Sequence, residues 1–386
     1  MSAVVPCGSS RQRRVSLSPL CMHLPLIIEL SCISLTHPAN IIEITDPHWN
    51  PISKIAFHRK PPTTASAIMF PFFKLPADIR RICIEHVLFD SRPAPEYPSM
   101  DNRAKFDDIR YMAWRARPYH EIRDTHSPSN CLALFLTSRE MKAETSAILA
   151  LKGSAKYHLD LSVLNDNDVF PTWLCVPQLT TRLDKLYVDV RLFGTIIESS
   201  IGRRQGGNGG HTRYEWDFLA LLERFLRYGP VGRKKNADGG DSLMMAGPRG
   251  VCPPIIDRSI KVDTLVLDFS SAEDKAQRGE FPPREIEFRD WNCYRCGFGS
   301  HRHSRRLDEY NTRPEWLAEL LADEIDMLLN LGRDREFFAK LVYSRMRIIR
   351  MLVDGEVFRE FNIAERLDEY KYTDKKKYAP EWLIDL

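Results

Sequence analysis

The sequence predicts an α/β protein, with a mixed α+β arrangement as the alternative. Two amphipathic helices come first, and a partly parallel sheet with crossover helices follows. Three segments share one spacing: LDKLYVDV (Leu183–Val190), VDTLVLDF (Val262–Phe269) and MRIIRMLV (Met346–Val353) are apolar at their first, fourth, sixth and eighth positions. The last three of those positions alternate, as one buried strand face requires. An amphipathic helix lies between the first and second strands, and another between the second and third. Strand–helix–strand–helix–strand predicts parallel strands joined by right-handed crossovers.

Taken in order, residues 1–68 read as a poorly ordered N-terminal extension that folding does not need, since they lack sustained periodicity and end in PPTTASA. Within them, Val15–Leu35 follows Arg11–Arg14 and imitates a secretory leader. Glu29 interrupts its apolar run, and Pro19 and Pro25 break it, so it reads neither as a leader nor as a membrane span. The first folding element is Phe70–Phe89, FPFFKLPADIRRICIEHVLF. Pro76 suits a first helical turn, where a missing N–H costs nothing. Ile79, Ile82, Cys83, His86 and Val87 recur at three- and four-residue spacing, which predicts one buried face, with His86 as a core histidine.

Asp90–Asn130 is polar, rich in Pro and Arg, and without periodicity; it reads as a long insert that Tyr111, Trp114 and Tyr119 could pin to the body. Leu132–Leu149 is the second helix of this 69–150 region, and Tyr157–Leu164 opens an α/β body spanning 151–386. The crossover helices carry Phe218, Leu221, Leu222 and Phe225 on one side, and Leu317, Leu321, Ile325 and Leu328 on the other's, with Thr312 and Glu315 as a capping box. The strand pattern is like that of a leucine-rich repeat, but units about eighty residues apart make it a divergent one. Gly/charge-rich stretches near 200–213 and 229–255 read as flexible loops. RLDEY followed by PEWL occurs at Arg306–Leu317 and again at Arg366–Leu383, which reads as two similar helix starts.

Composition narrows the function class. Of 386 residues, 43% are apolar and 28% charged, enough for a substantial core. The net charge of +3 resides wholly in residues 1–68, so residues 69–386 balance. A nucleic-acid binder gains affinity by neutralising phosphates, and this body has no basic surplus for it. Nine scattered cysteines are not a disulfide framework, and no Asn-x-Ser/Thr acceptor occurs. The chain reads as cytoplasmic or nuclear, with neither nucleic acid nor membrane as its partner.

Chemical motifs are few. Cys293-x-x-Cys296 followed by His301 and His303 is the one cluster with metal-ligand chemistry, but the gap before the histidines is far shorter than zinc sites use. It reads as an exposed loop without metal, and its flanks lack the strand-then-helix setting of a redox pair. GPVGRKK at Gly229–Lys235 has the wrong spacing for a phosphate loop and lacks its hydroxyl. No catalytic residue and no cofactor is indicated.

The Leu75–Pro76 helix opening, the apolar followers Ile79, Ile82, Val87 and Leu88, and LTSR at Leu136–Arg139 together resemble the F-box-like proteins abundant in fungi. In that family a Leu-Pro step opens the first helix and a Cys-Arg element lies in a later one, where this chain has Ser138. DVRLFG at Asp189–Gly194 also looks like the wider family. The resemblance implies a protein-interaction adaptor, a substrate receptor of a cullin-RING ubiquitin ligase. Leu75, Pro76, Ile79, Ile82, Val87 and Leu88 would then face a Skp-type adaptor subunit, and the strand-rich remainder an unknown target. The insert departs from the family, whose helices join within a few residues. Two alternatives stand: an interaction or structural protein without Skp binding, and an enzyme with an unrecognised site. Exposure of the Leu75–Leu88 stripe separates adaptor from stand-alone protein; a deep pocket with converging titratable groups would revive the enzyme.

Overall fold

The computed structural model describes residues 71–106, 118–121, 129–153, 155–166, 168–195, 213–232, 257–273, 279–295, 310–330, 336–372 and 380–386. The extension 1–68, most of the two glycine-rich stretches, Tyr111 and Trp114 lie outside the described residues. Among the described residues, the chain forms a mixed α/β structure around one mostly parallel six-stranded sheet.

After a 3-10 turn at Phe72–Lys74 come α1 (Ala77–Phe89), β1 (Arg103–Lys105), β2 (Tyr119–Glu121), α2 (Cys131–Thr137) and α3 (Arg139–Lys152). The body follows with β3 (Lys156–Leu164), β4 (Asp168–Cys175), β5 (Arg182–Phe193), α4 (Arg213–Tyr228), β6 (Lys261–Ser271) and α5 (Phe288–Arg295). It ends with α6 (Pro314–Leu329), α7 (Glu336–Arg345), β7 (Met346–Val353), β8 (Glu356–Asn362), α8 (Ile363–Tyr372) and α9 (Glu381–Ile384).

The sheet order is β4-β3-β5-β6-β7-β8, with β3, β5, β6 and β7 parallel and the two edge strands antiparallel. The shared spacing of the three segments is a shared register. Leu183 pairs with Val262 and Val262 with Met346; Leu186, Leu265 and Ile349 form the next row, then Val188, Leu267 and Met351, then Val190, Phe269 and Val353. Equal spacing lets each apolar row run unbroken across three strands, so one layer of helices covers all of them. That layer is α4, α6 and α7, which share one core with the strands. Phe218 and Phe225 of α4 are buried there, as are Leu317, Leu321, Ile325 and Leu328 of α6.

The opposite face mixes polar side chains with the buried Val266 and Phe193. It presents His158, Asp160 and Ser162 on β3, Tyr187, Asp189 and Arg191 on β5, and Asp268 on β6. The start of the insert runs across it: Arg191 Nη2 donates to the Pro95 carbonyl at 2.7 Å, and Tyr97 meets the Phe193 ring edge-on at 5.7 Å. Tyr119 stacks on Phe170 at 5.6 Å, pinning β2 against β4.

Two local expectations are corrected. Leu132–Leu149 is two helices rather than one, because Ser138 is extended (φ −158°) and its Oγ accepts the Met141 N–H at 3.0 Å, capping α3. The Thr312–Glu315 box does not form: Thr312 Oγ1 donates instead to buried Asp166 at 2.5 Å, and Arg313 holds the N-cap of α6 without a side-chain capping bond. Strands β4 and β8 and the hairpin turns that lead to them were not anticipated.

Candidate functional site

The helices α1, α2 and α3 enclose a small core of their own: Ile84, Leu88, Cys131, Met141, Ile148 and Leu149. Backbone bonds tie it to the segment just after β4, Asn130 N–H to Val176 O at 2.9 Å and Cys131 N–H to Pro177 O at 3.1 Å. Asn130 Nδ2 also donates to the Leu88 carbonyl at 3.0 Å, where α1 ends. The buried Cys175 thiol lies against the same carbonyl at 3.8 Å, and burial pushes its pKa up to about 11, so it stays a neutral thiol.

Helix α1 is held in rotation by charge. Arg80 Nη2 meets Glu144 Oε1 of α3 at 2.6 Å, and Arg80 Nη1 donates to the Leu75 carbonyl at 2.6 Å. On its flank, Arg81 and Lys152 both reach Glu85, at 2.8 and 3.2 Å. Their hydrogen bonds hold the Glu85 carboxyl below its ordinary range.

This rotation buries Ile84 and Leu88. The predicted stripe therefore points outward: Ile79 is 45% exposed, Ile82 62% and Val87 39%, and His86 is exposed rather than a core histidine. Pro76 is exposed, Leu75 and Cys83 are half-buried, and Leu88 alone of the six partner-site candidates is fully buried. Ile79 and Leu88 are nine residues apart, which at about 100° per residue puts them on opposite sides of the helix. The stripe exists as one face, but the expectation that it is a buried face is overturned.

The same helices and the turn before them also expose Phe73, Phe89, Leu132, Leu136 and Leu151. Eight of the sixteen exposed large hydrophobic residues thus lie in residues 72–89 and 131–152, fewer than a fifth of the described residues. Scattered single exposed apolar residues are normal on a surface; half of the described ones falling in this stretch is a departure from that pattern.

The remaining candidates offer less. Cys296, His301 and His303 lie outside the described residues, and no group of three or more His, Cys, Asp or Glu among the described residues could hold a metal ion. A cavity of about 60 Å³ sits between α4 and the sheet, lined by Leu161, Val188, Phe218, Phe225 and Leu267, with Arg224 the one charged residue at its wall. It is a gap in the core rather than a converging set of titratable groups. No helix among the described residues is long and apolar enough to cross a membrane. The chain matches no family model, no curated protein and no solved structure.

Proposed function

We propose that this chain is an F-box-like protein-interaction adaptor, working in the cytoplasm or nucleus. Its α1–α3 unit docks a Skp-type subunit of a cullin-RING ubiquitin ligase through the outer face of α1, and its sheet body receives the target. The observation that carries this reading is the apolar face of Ile79 and Ile82, with exposed Val87 at its margin, left in water while the Arg80–Glu144 pair holds Ile84 and Leu88 inward. A helix whose second apolar face is uncovered is stabilised by a partner that covers it. The body supports the divergent leucine-rich-repeat-like reading through its in-register apolar rows and the single helical layer that covers them.

A stand-alone interaction protein without Skp binding is the second reading. It is favoured by the backbone bonds that fuse the helical unit to Val176 and Pro177, which make that unit part of the body's own fold. Co-purification of the full chain with a recombinant Skp subunit decides between them. Ile79→Glu should abolish the complex and leave the melting curve nearly unchanged. No complex with the wild-type chain overturns the adaptor reading.

A further inference from the structure

Outside the helical unit, three side chains on the sheet face opposite α4, α6 and α7 stand in a nucleophile–base–acid line. Ser91 Oγ lies 3.3 Å from His158 Nδ1, and His158 Nε2 lies 2.7 Å from Asp189 Oδ2. The fold brings them together from three places. Parallel pairing sets His158 beside Tyr187, so Asp189, two residues further along β5, falls on the same face and on the diagonal. Ser91 arrives from the segment after α1, whose Arg92 N–H bonds the Leu174 carbonyl at 3.0 Å and so fixes the approach. The Tyr187 ring stands edge-on to the imidazole at 5.3 Å, and its own hydroxyl is held by Asp268 at 2.6 Å.

A carboxylate only accepts hydrogen bonds, so Asp189 holds the imidazole proton on Nε2 and leaves the Nδ1 lone pair facing Ser91. That is the relation a serine nucleophile needs with its base, with the two ring nitrogens exchanged relative to the commonest arrangement. Ser91 is exposed to solvent, and its backbone N–H donates to no acceptor among the described residues, leaving a donor on the nucleophile's own residue for a developing oxyanion.

We infer that Ser91, His158 and Asp189 form an acyl-transfer site that accepts short, unhindered carboxylic esters, an activity separate from adaptor docking. Ser91 Oγ bonds to the ester carbonyl carbon as its proton passes to His158 Nδ1. The carbon–alkoxide bond then breaks, and the alcohol leaves with that proton. Water repeats the sequence on the acyl-serine, giving up a proton to His158 and releasing the acid as Ser91 regains its own. Short acyl groups are assigned because Ser91 stands exposed and the cavity between α4 and the sheet is lined by none of the three residues.

The test uses the full chain and a fluorophosphonate probe, whose P–F bond gives way to a P–Oγ bond by the same proton transfer. One adduct per chain, mapped to Ser91 by mass spectrometry, is expected. Ser91→Ala should remove it, and Asp189→Asn should slow labelling at least tenfold while the melting curve is retained. Hydrolysis of p-nitrophenyl acetate should fall at least tenfold in Ser91→Ala, a surface change that leaves folding intact. No adduct on Ser91, or equal ester hydrolysis by wild type and Ser91→Ala, overturns the proposal.

Discussion

The opposed faces of α1 predict opposite consequences for two substitutions six residues apart. Leu88 is wholly buried in the six-residue core of the helical unit. Leu88→Ala removes three heavy atoms from the core it shares with Ile84, Cys131, Met141, Ile148 and Leu149, and such changes cost about 2–5 kcal/mol. Ile82 is 62% exposed, so it gains only about 40% of the roughly 1.5–3 kcal/mol that full burial supplies. Ile82→Glu gives up about 1 kcal/mol at most, keeps its carboxylate in water, and trades a β-branched residue for a better helix former. Urea unfolding of both variants measures the difference. Hydrogen exchange at the α1 and α3 amides locates it, because a loss confined to the small core opens those helices before the sheet. An Ile82→Glu cost equal to that of Leu88→Ala would refute the assigned rotation of α1.

Ser138→Ala should cost about 0.5–2 kcal/mol by removing the only side-chain cap on α3, read as a fall in unfolding free energy. Gly194→Ala should cost about 2 kcal/mol or more, because Gly194 has φ +72° and an added Cβ would sit 2.1 Å from Asn165 Oδ1. Asp257 bridges Arg227 at 2.9 Å and Arg345 at 2.6 Å. Burial raises its pKa, but the hydrogen bonds from Arg345 and the Ser259 N–H and the charges of both arginines outweigh that and lower it overall. With the folded pKa depressed, its stabilisation is present above the ordinary carboxylate value and is lost as pH falls through the folded pKa. Asp257→Asn should therefore cost about 1–2 kcal/mol at neutral pH and flatten the fall in stability below pH ~4, measured by melting across pH.

The central sheet was legible because its rule is local and repeated. An apolar spacing that recurs three times needs no knowledge of the partner strand, and parallel pairing turned it into continuous rows. The edge strands were harder. Strand β8 mixes charge with exposed Val357 and Phe358, and β4 carries Pro171, which a sheet accepts only at an edge or a bulge. Their turns did leave a signal. Asp354–Gly355, at φ +50° and +81°, and Asn165–Asp166, at +53° and +56°, are residue types that tolerate the left-handed backbone of tight hairpins. Thr312 shows the opposite limit: its spacing from Glu315 fits a helix cap, but a buried carboxylate 146 residues away in sequence took its hydroxyl.

The rotation of α1 was not legible, for a reason that bears on the proposed docking face. Isoleucine or leucine occupies positions 79, 82, 84 and 88, so either half of the helix can present two branched aliphatic residues to α2 and α3. Apolar transfer energy then barely distinguishes the two rotations, and polar anchors decide. With Arg80 inward, its guanidinium reaches both Glu144 and the Leu75 carbonyl; turned half-way round, it would lose both partners and send Ile84 and Leu88 into water. The unused apolar half is therefore already ordered on a helix that its other side holds in place. A partner that covers Ile79, Ile82 and Val87 gains their burial without having to order the helix first, which is the condition under which a small apolar surface binds well.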